Sequence, residues 1–178
     1  TITRTSDNAT GSYRAETSAA NLYTVTYDIA GLETATGYNG KSGWIIDSKD
    51  GLRTITGEAA RDFQAEASYR NNRWLNARSE KTKIASGGTA NIDGKTANVI
   101  TLTTAKGTQI KLYFDSATGL LLREDTPAGS AVKTFQYADY RKVNNIQTPF
   151  LIKMTNGGET YDIKLDSVTY NQPIAKKN

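Results

Sequence analysis

Along most of this chain apolar and polar residues exchange places at every step, the period of a strand with one covered face. Leu22 to Ile29 shows it cleanly, with Tyr23, Val25, Tyr27 and Ile29 on one side and Thr24, Thr26 and Asp28 on the other. The densest apolar stretch, Lys111 to Arg123, is split by a turn. Gly119 can take the positive φ that closes a short loop beginning at Asp115, so Thr108 to Phe114 is predicted to pair antiparallel with Leu120 to Asp125. Ile110, Leu112 and Phe114 share one face of the first strand. In Leu120-Leu121-Leu122 the alternation fails. A strand apolar on both faces needs cover on each side, or an apolar ligand on one.

The same pattern predicts strands over Ile2–Ser6, Ser12–Thr17, Glu33–Tyr38, Gly43–Asp47, Leu52–Ile55, Lys81–Ser86, Thr96–Thr104, Ala131–Tyr140, Ile146–Thr155 and Tyr161–Leu165. Asn39-Gly40 is the strongest short hairpin signal among the turns between them. From Glu58 to about Ala77 the period changes. The run lacks Gly and Pro, and Ala59, Ala60, Phe63, Ala67, Arg70 and Trp74 fall on one helical stripe. Thr56 is the expected N-cap, Glu58 and Asp62 sit near the positive end of the helix dipole, and Asn71-Asn72 is the expected break. Many evenly spaced strands with one helical insertion predict a mainly β, α+β fold. The expected form is a strongly curved antiparallel up-and-down sheet, an unclosed half-barrel with one or two helices across its open side.

Composition adds mostly exclusions. The 178 residues are expected to form a single domain, 1–178, with an opening element removed before Thr1 or as part of a longer chain. There is no cysteine and no histidine, which removes disulfides, thiolate chemistry, Ser-His-Asp triads and His-ligated metal. The net charge of +4 comes from basic residues interleaved with acids, a solvated mixed surface and not a nucleic-acid face. Asp115, Glu124 and Asp125 read as turn and surface groups, and Arg53, Arg61, Arg70, Arg73 and Arg78 as a solvated helix face.

Several phrases together resemble bacterial outer-membrane lipoprotein-sorting-like domains, the LolA/LolB-like group. They are Tyr38-Asn39-Gly40-Lys41-Ser42-Gly43-Trp44 with Leu52-Arg53 and Gly57-Glu58, then Leu112-Tyr113-Phe114-Asp115 with Thr118-Gly119-Leu120-Leu121. Asp139-Tyr140-Arg141, Pro149-Phe150 and Asn171-Gln172-Pro173-Ile174 follow. The likeness runs from about Tyr38 to Ile174. It implies a periplasmic or lipid-anchored, non-enzymatic carrier, monomeric and without a cofactor. The partner would be a lipid or lipoprotein acyl chain, with a membrane-bound or periplasmic protein as a further partner. No nucleic acid is implied.

The chain then would hold its ligand in an apolar cavity between helix and sheet. The residues expected to line it are Trp44, Ile46, Phe63, Ala67 and Trp74 from the first half, and Leu112, Phe114, Leu121, Phe150 and Ile152 from the second. The alternative is a scaffold or sensor domain that binds protein and whose half-barrel is filled by its own side chains. An enzyme would have to work with carboxylates, Tyr, Lys or Arg alone. Cavity volume separates carrier from scaffold, since ligand sites usually hold roughly 300–1,000 Å³.

Overall fold

The pairing of the strands explains how one helical insertion comes to lie across the sheet. A computed structural model describes residues 1–172, so Pro173 and Ile174, the end of the stretch resembling the lipoprotein-sorting domains, lie outside the described residues. Among the described residues thirteen antiparallel strands form one sheet. The first meander comprises β1 (Ile2–Arg4), β2 (Thr10–Ser18), β3 (Leu22–Ile29), β4 (Leu32–Asn39), β5 (Gly43–Asp47) and β6 (Gly51–Thr54). The second comprises β7 (Lys83–Ile92), β8 (Lys95–Thr103), β9 (Gln109–Asp115), β10 (Leu121–Ala128), β11 (Ala131–Val143), β12 (Ile146–Asn156) and β13 (Glu159–Lys164).

Each meander is up-and-down, as the alternation predicts. What joins them is β1, which pairs with β2 on one side and β13 on the other, with Ile2 opposite both Gly11 and Ile163. The sheet order therefore runs from β6 through β1 and β13 to β7, and β6 and β7 are its two free edges. The connection from β6 to β7 must travel from one edge to the other. It does so as helix α1 (Gly57–Arg70), a 3-10 turn (Arg73–Asn76) and the single-turn helix α2 (Ala77–Glu80). Asn72, at φ 56°, makes the break expected there. Thr56 occupies the N-cap position in extended backbone, but its side chain makes no capping bond.

The face toward α1 is the inner face. Against it, Phe63 and Ala67 of α1 cluster with Tyr23 and Tyr38, and Ala65 of α1 clusters with Leu102, Ile110 and Leu112. A third, Ile2, Ile29 and Ile163, lies where the two meanders meet. The alternate residues face outward, away from the helix.

One hairpin leaves this plan. Between Ser86 and Thr89 the β7–β8 register shifts, and Gly87 and Gly88 form the bulge. A β-carbon on Gly87 would lie 2.8 Å from Val99 Cγ1, so the close approach of the two strands needs glycine. A bulge bends and twists the strand that carries it. Here the hairpin tip turns over the outer face, where Gln136 Nε2 donates to Asp93 Oδ2 at 3.1 Å. Ile92 is buried although it stands at the tip.

Candidate functional site

Charged side chains occupy part of the space between α1 and the sheet. Glu66 and Arg70 sit one turn apart on α1, both beneath the helix. Glu124 is fully buried on β10 and forms an ion pair with Arg70, and it also accepts from Tyr69 Oη at 2.7 Å. Arg70 donates to Tyr137 Oη at 3.2 Å and lies 4.6 Å from the centre of the Phe135 ring. Lys133 Nζ contacts Glu66 Oε2 at 2.6 Å. Asp62 accepts from Thr108 Oγ1 at 2.9 Å and from the Gly129 N–H at 3.1 Å, which ties the start of α1 to two loops of the sheet. Arg70 and Glu124 thus depart from the solvated and surface roles expected of them. For this pair the physical reason is reciprocity, each charge being buried because its opposite is buried against it, whereas Asp62 is held by the Thr108 hydroxyl and the Gly129 N–H.

These groups titrate accordingly. Burial pushes the hydroxyls of Tyr69 and Tyr137 well up, and the nearby Glu124 charge adds to it. Burial alone would lower Arg70, but Glu124 and the surrounding groups hold it well above its ordinary value. Burial would raise Glu66, yet Lys133 and Arg70 outweigh that and hold its carboxyl below the ordinary 4.5. Arg70 acts there as a charge 3.7 Å away, too far for a hydrogen bond, and Glu66 Oε1 has no hydrogen-bond partner.

A lowered folded pKa means the Glu66 contribution is complete above the unfolded value and is lost as pH falls through the folded one. Urea unfolding at about pH 7 and about pH 3 should therefore show a smaller acid loss for Glu66→Gln than for the parent chain. Equal losses would mean that Glu66 is not held ionised by its neighbours.

The ten residues expected to line a cavity do not form one surface. Phe63 and Ala67 lie in the first inner cluster. Leu112 lies in the second, with Trp74, Phe114 and Leu121 packed against it. Ile152 belongs to the third, and Phe150 is buried on the same strand beneath the Arg141 guanidinium, 4.4 Å from its ring centre. Trp44 and Ile46 are on the outer face, because they pair with Gly37 and Ala35, residues that alternate with the inner-facing Tyr38. The Trp44 indole covers Gly37, where a β-carbon would come within 2.3 Å of the ring. Beneath the helix, the apolar and charged side chains of these clusters pack against one another. A void of about 20 Å³ remains beside Trp74, space for one water and not for an acyl chain.

A much larger hollow lies on the other side of the sheet. It measures about 710 Å³ and is formed between the folded-over β7–β8 tip and the outer faces of β10 to β13 and β1. Ile92, Leu122, Ala138 and Leu151 give it apolar surface, and Lys95, Lys153 and Lys164 stand around it. The pairing confirms the side: Ala138 opposes Leu151, which opposes Lys164, while the inner-facing Tyr137, Ile152 and Ile163 form the alternate row. One signal for it was present in the sequence. The register slips between Leu121 and Arg123, so Leu121 packs inward while Leu122 lines the outer hollow.

The fold is similar to those of several solved structures. An outer membrane lipoprotein-sorting protein domain from Vibrio parahaemolyticus matches with a TM-score of 0.56 at 11% identity, over 98% of this chain and 86% of that one. A LolA superfamily protein from Nitrosomonas europaea matches at 0.55 and 15% identity, over 94% and 84%. A DUF1329 family protein from Desulfovibrio piger matches at 0.52 and 17% identity, over 92% and 79%. No family model matches the sequence, and the search of curated proteins returned no match. The chain has a LolA-like fold.

Proposed function

We propose that this chain is a non-enzymatic periplasmic binding domain that engages a protein partner from outside, with its helix-bearing face permanently filled. The observation that supports this reading is the buried set Glu66, Arg70, Glu124 and Lys133 standing where an acyl chain would have to lie. Admitting an apolar chain there would require desolvated charges to part, and breaking such a pair costs about 3–5 kcal/mol. A carrier that spends so much on opening loses the same amount of affinity.

The second reading is a carrier whose α1 segment swings away as a lid. It is favoured by the lipoprotein-sorting description of a structural neighbour, carried over to this chain only as a proposal. A reversible staple separates the two. A β-carbon on Gly129 would lie 3.7 Å from Ala59 Cβ, inside the range of a relaxed disulfide. Gly129 has φ 66°, so a cysteine there carries a penalty of about 1–2 kcal/mol. Since the chain has no cysteine of its own, Ala59→Cys with Gly129→Cys can form only one disulfide within the chain, and oxidation at low protein concentration keeps it there.

The probe is a fluorescent diacylated lipopeptide. The filled-interior reading expects its binding, or lack of binding, to be the same in oxidised and reduced protein. Binding lost on oxidation and restored by dithiothreitol would establish the lid and overturn that reading.

A further inference from the structure

We infer that the outer-face hollow is a binding site for a single-chain anionic amphiphile of the fatty-acid class. Its size is the first reason, because about 710 Å³ falls inside the usual range for small-ligand sites, roughly 300–1,000 Å³. Its chemistry is the second. The floor is apolar: Leu122 and Ala138 face into it, and Leu151 is 42% exposed there on an outer strand face. Covering exposed leucine in the base of a groove with a hydrocarbon chain is favourable because it removes apolar surface from water.

The rim selects the headgroup. Lys153 and Lys164 project from paired strands on the same face, and Lys95 comes from the hairpin tip opposite. Lys164 makes no ion pair among the described residues, and Lys153 reaches Asp162 only at 4.0 Å. Lys95 is similarly loose, 3.9 Å from Asp115. Of the two acids on the rim, Asp93 is occupied by the Gln136 amide and lies near Arg123, which leaves the exposed Asp162 as one carboxylate among three ammonium groups. Three loosely held ammonium groups above an apolar floor complement a carboxylate with a hydrocarbon tail.

The built form of the hollow is the third reason. It exists because the bulge at Gly87–Gly88 turns the hairpin over the sheet, burying Ile92 as one wall. It also accounts for a leucine triplet that violates strand alternation: Leu122 supplies floor to this site while Leu121 serves the inner core. This inference stands apart from the reading of the inner face, since neither outcome of the disulfide staple bears on it.

The test is a titration of isotope-labelled protein with dodecanoate, following backbone amide shifts. Saturable shifts are expected at Ile92, Leu122, Ala138 and Leu151. Ala138→Trp, an exposed position that tolerates bulk, should weaken binding tenfold or more by filling the floor. Lys153→Glu with Lys164→Glu should weaken it by about threefold or more, the scale of exposed charge contacts. Dodecyltrimethylammonium, with the same tail and opposite charge, should bind more weakly than dodecanoate. The inference is overturned if no saturable shift occurs, or if shifts centre on Phe63, Ala67 and Leu112. It is overturned equally if Ala138→Trp binds as the parent does, or if the cationic amphiphile binds as well as the anionic one.

Discussion

Arg70→Met is expected to lower the unfolding free energy by about 3–5 kcal/mol, the usual effect of removing one partner of a buried ion pair. Methionine is close enough in length to keep much of the packing on Phe135, so the loss comes chiefly from charge. Glu124 is completely buried and would keep only the Tyr69 hydroxyl as a partner. It must then remain as an unmatched buried charge or take up a proton, and both destabilise the fold. At about 2–4 °C per kcal/mol for a chain of this size, the melting temperature should fall by roughly 10 °C. Adding Glu124→Leu should recover most of the loss, because replacing both charges by apolar groups is often neutral. Calorimetry of the two variants decides it. A loss below about 1 kcal/mol in Arg70→Met would place that pair in water and undo the case for a filled interior.

Gly11→Ala should be at least as damaging, for a reason of backbone and not of charge. A β-carbon at Gly11 would lie 1.5 Å from the carbonyl oxygen of Asp28 and 3.0 Å from the Ile29 α-carbon. Those atoms belong to the neighbouring strand, which cannot swing aside as a flexible side chain can. Gly11 also pairs with Ile2, at the seam where β1 links the two meanders over the Ile2, Ile29 and Ile163 cluster. Displacing the seam loosens both halves, so a loss of about 3 kcal/mol or more is expected. Gly31→Ala is the control. That glycine has φ 80° but nothing within 4 Å of the added carbon, so about 1 kcal/mol of backbone strain is all that should be lost. Urea denaturation of both variants should rank Gly11→Ala well below Gly31→Ala, and the reverse order would remove the close approach from the explanation.

Gly11 also illustrates what a sequence pattern hides. In the chain it stands in a stretch, Asp7 to Gly11, that reads as a turn. In the fold it lies within β2, and its lack of a side chain is used for contact across strands. The same holds for Glu66 and Glu124. A carboxylate on a helix or near a strand end reads as solvated unless the opposite charge that buries it is known. That partner is 54 residues away for the pair Arg70 and Glu124, a separation no local window spans. Trp44 and Ile46 were placed with the inner aromatics because apolar residues point to a core, yet this sheet carries apolar groups on both faces.

Much of the architecture was nevertheless legible. Period-two alternation, the Asn39-Gly40 turn, the Gly119 loop and the change to helical period at Glu58 were enough for a curved antiparallel sheet with a helical segment across it. These are local properties: each follows from how neighbouring side chains share two faces and from which residues tolerate a positive φ. Tertiary structure decided that β1 joins β13, which side of the sheet keeps an open volume, and which charges are buried. Those outcomes depend on pairing between residues far apart in the chain, where register and the burial of one group are set by its partner and not by its neighbours.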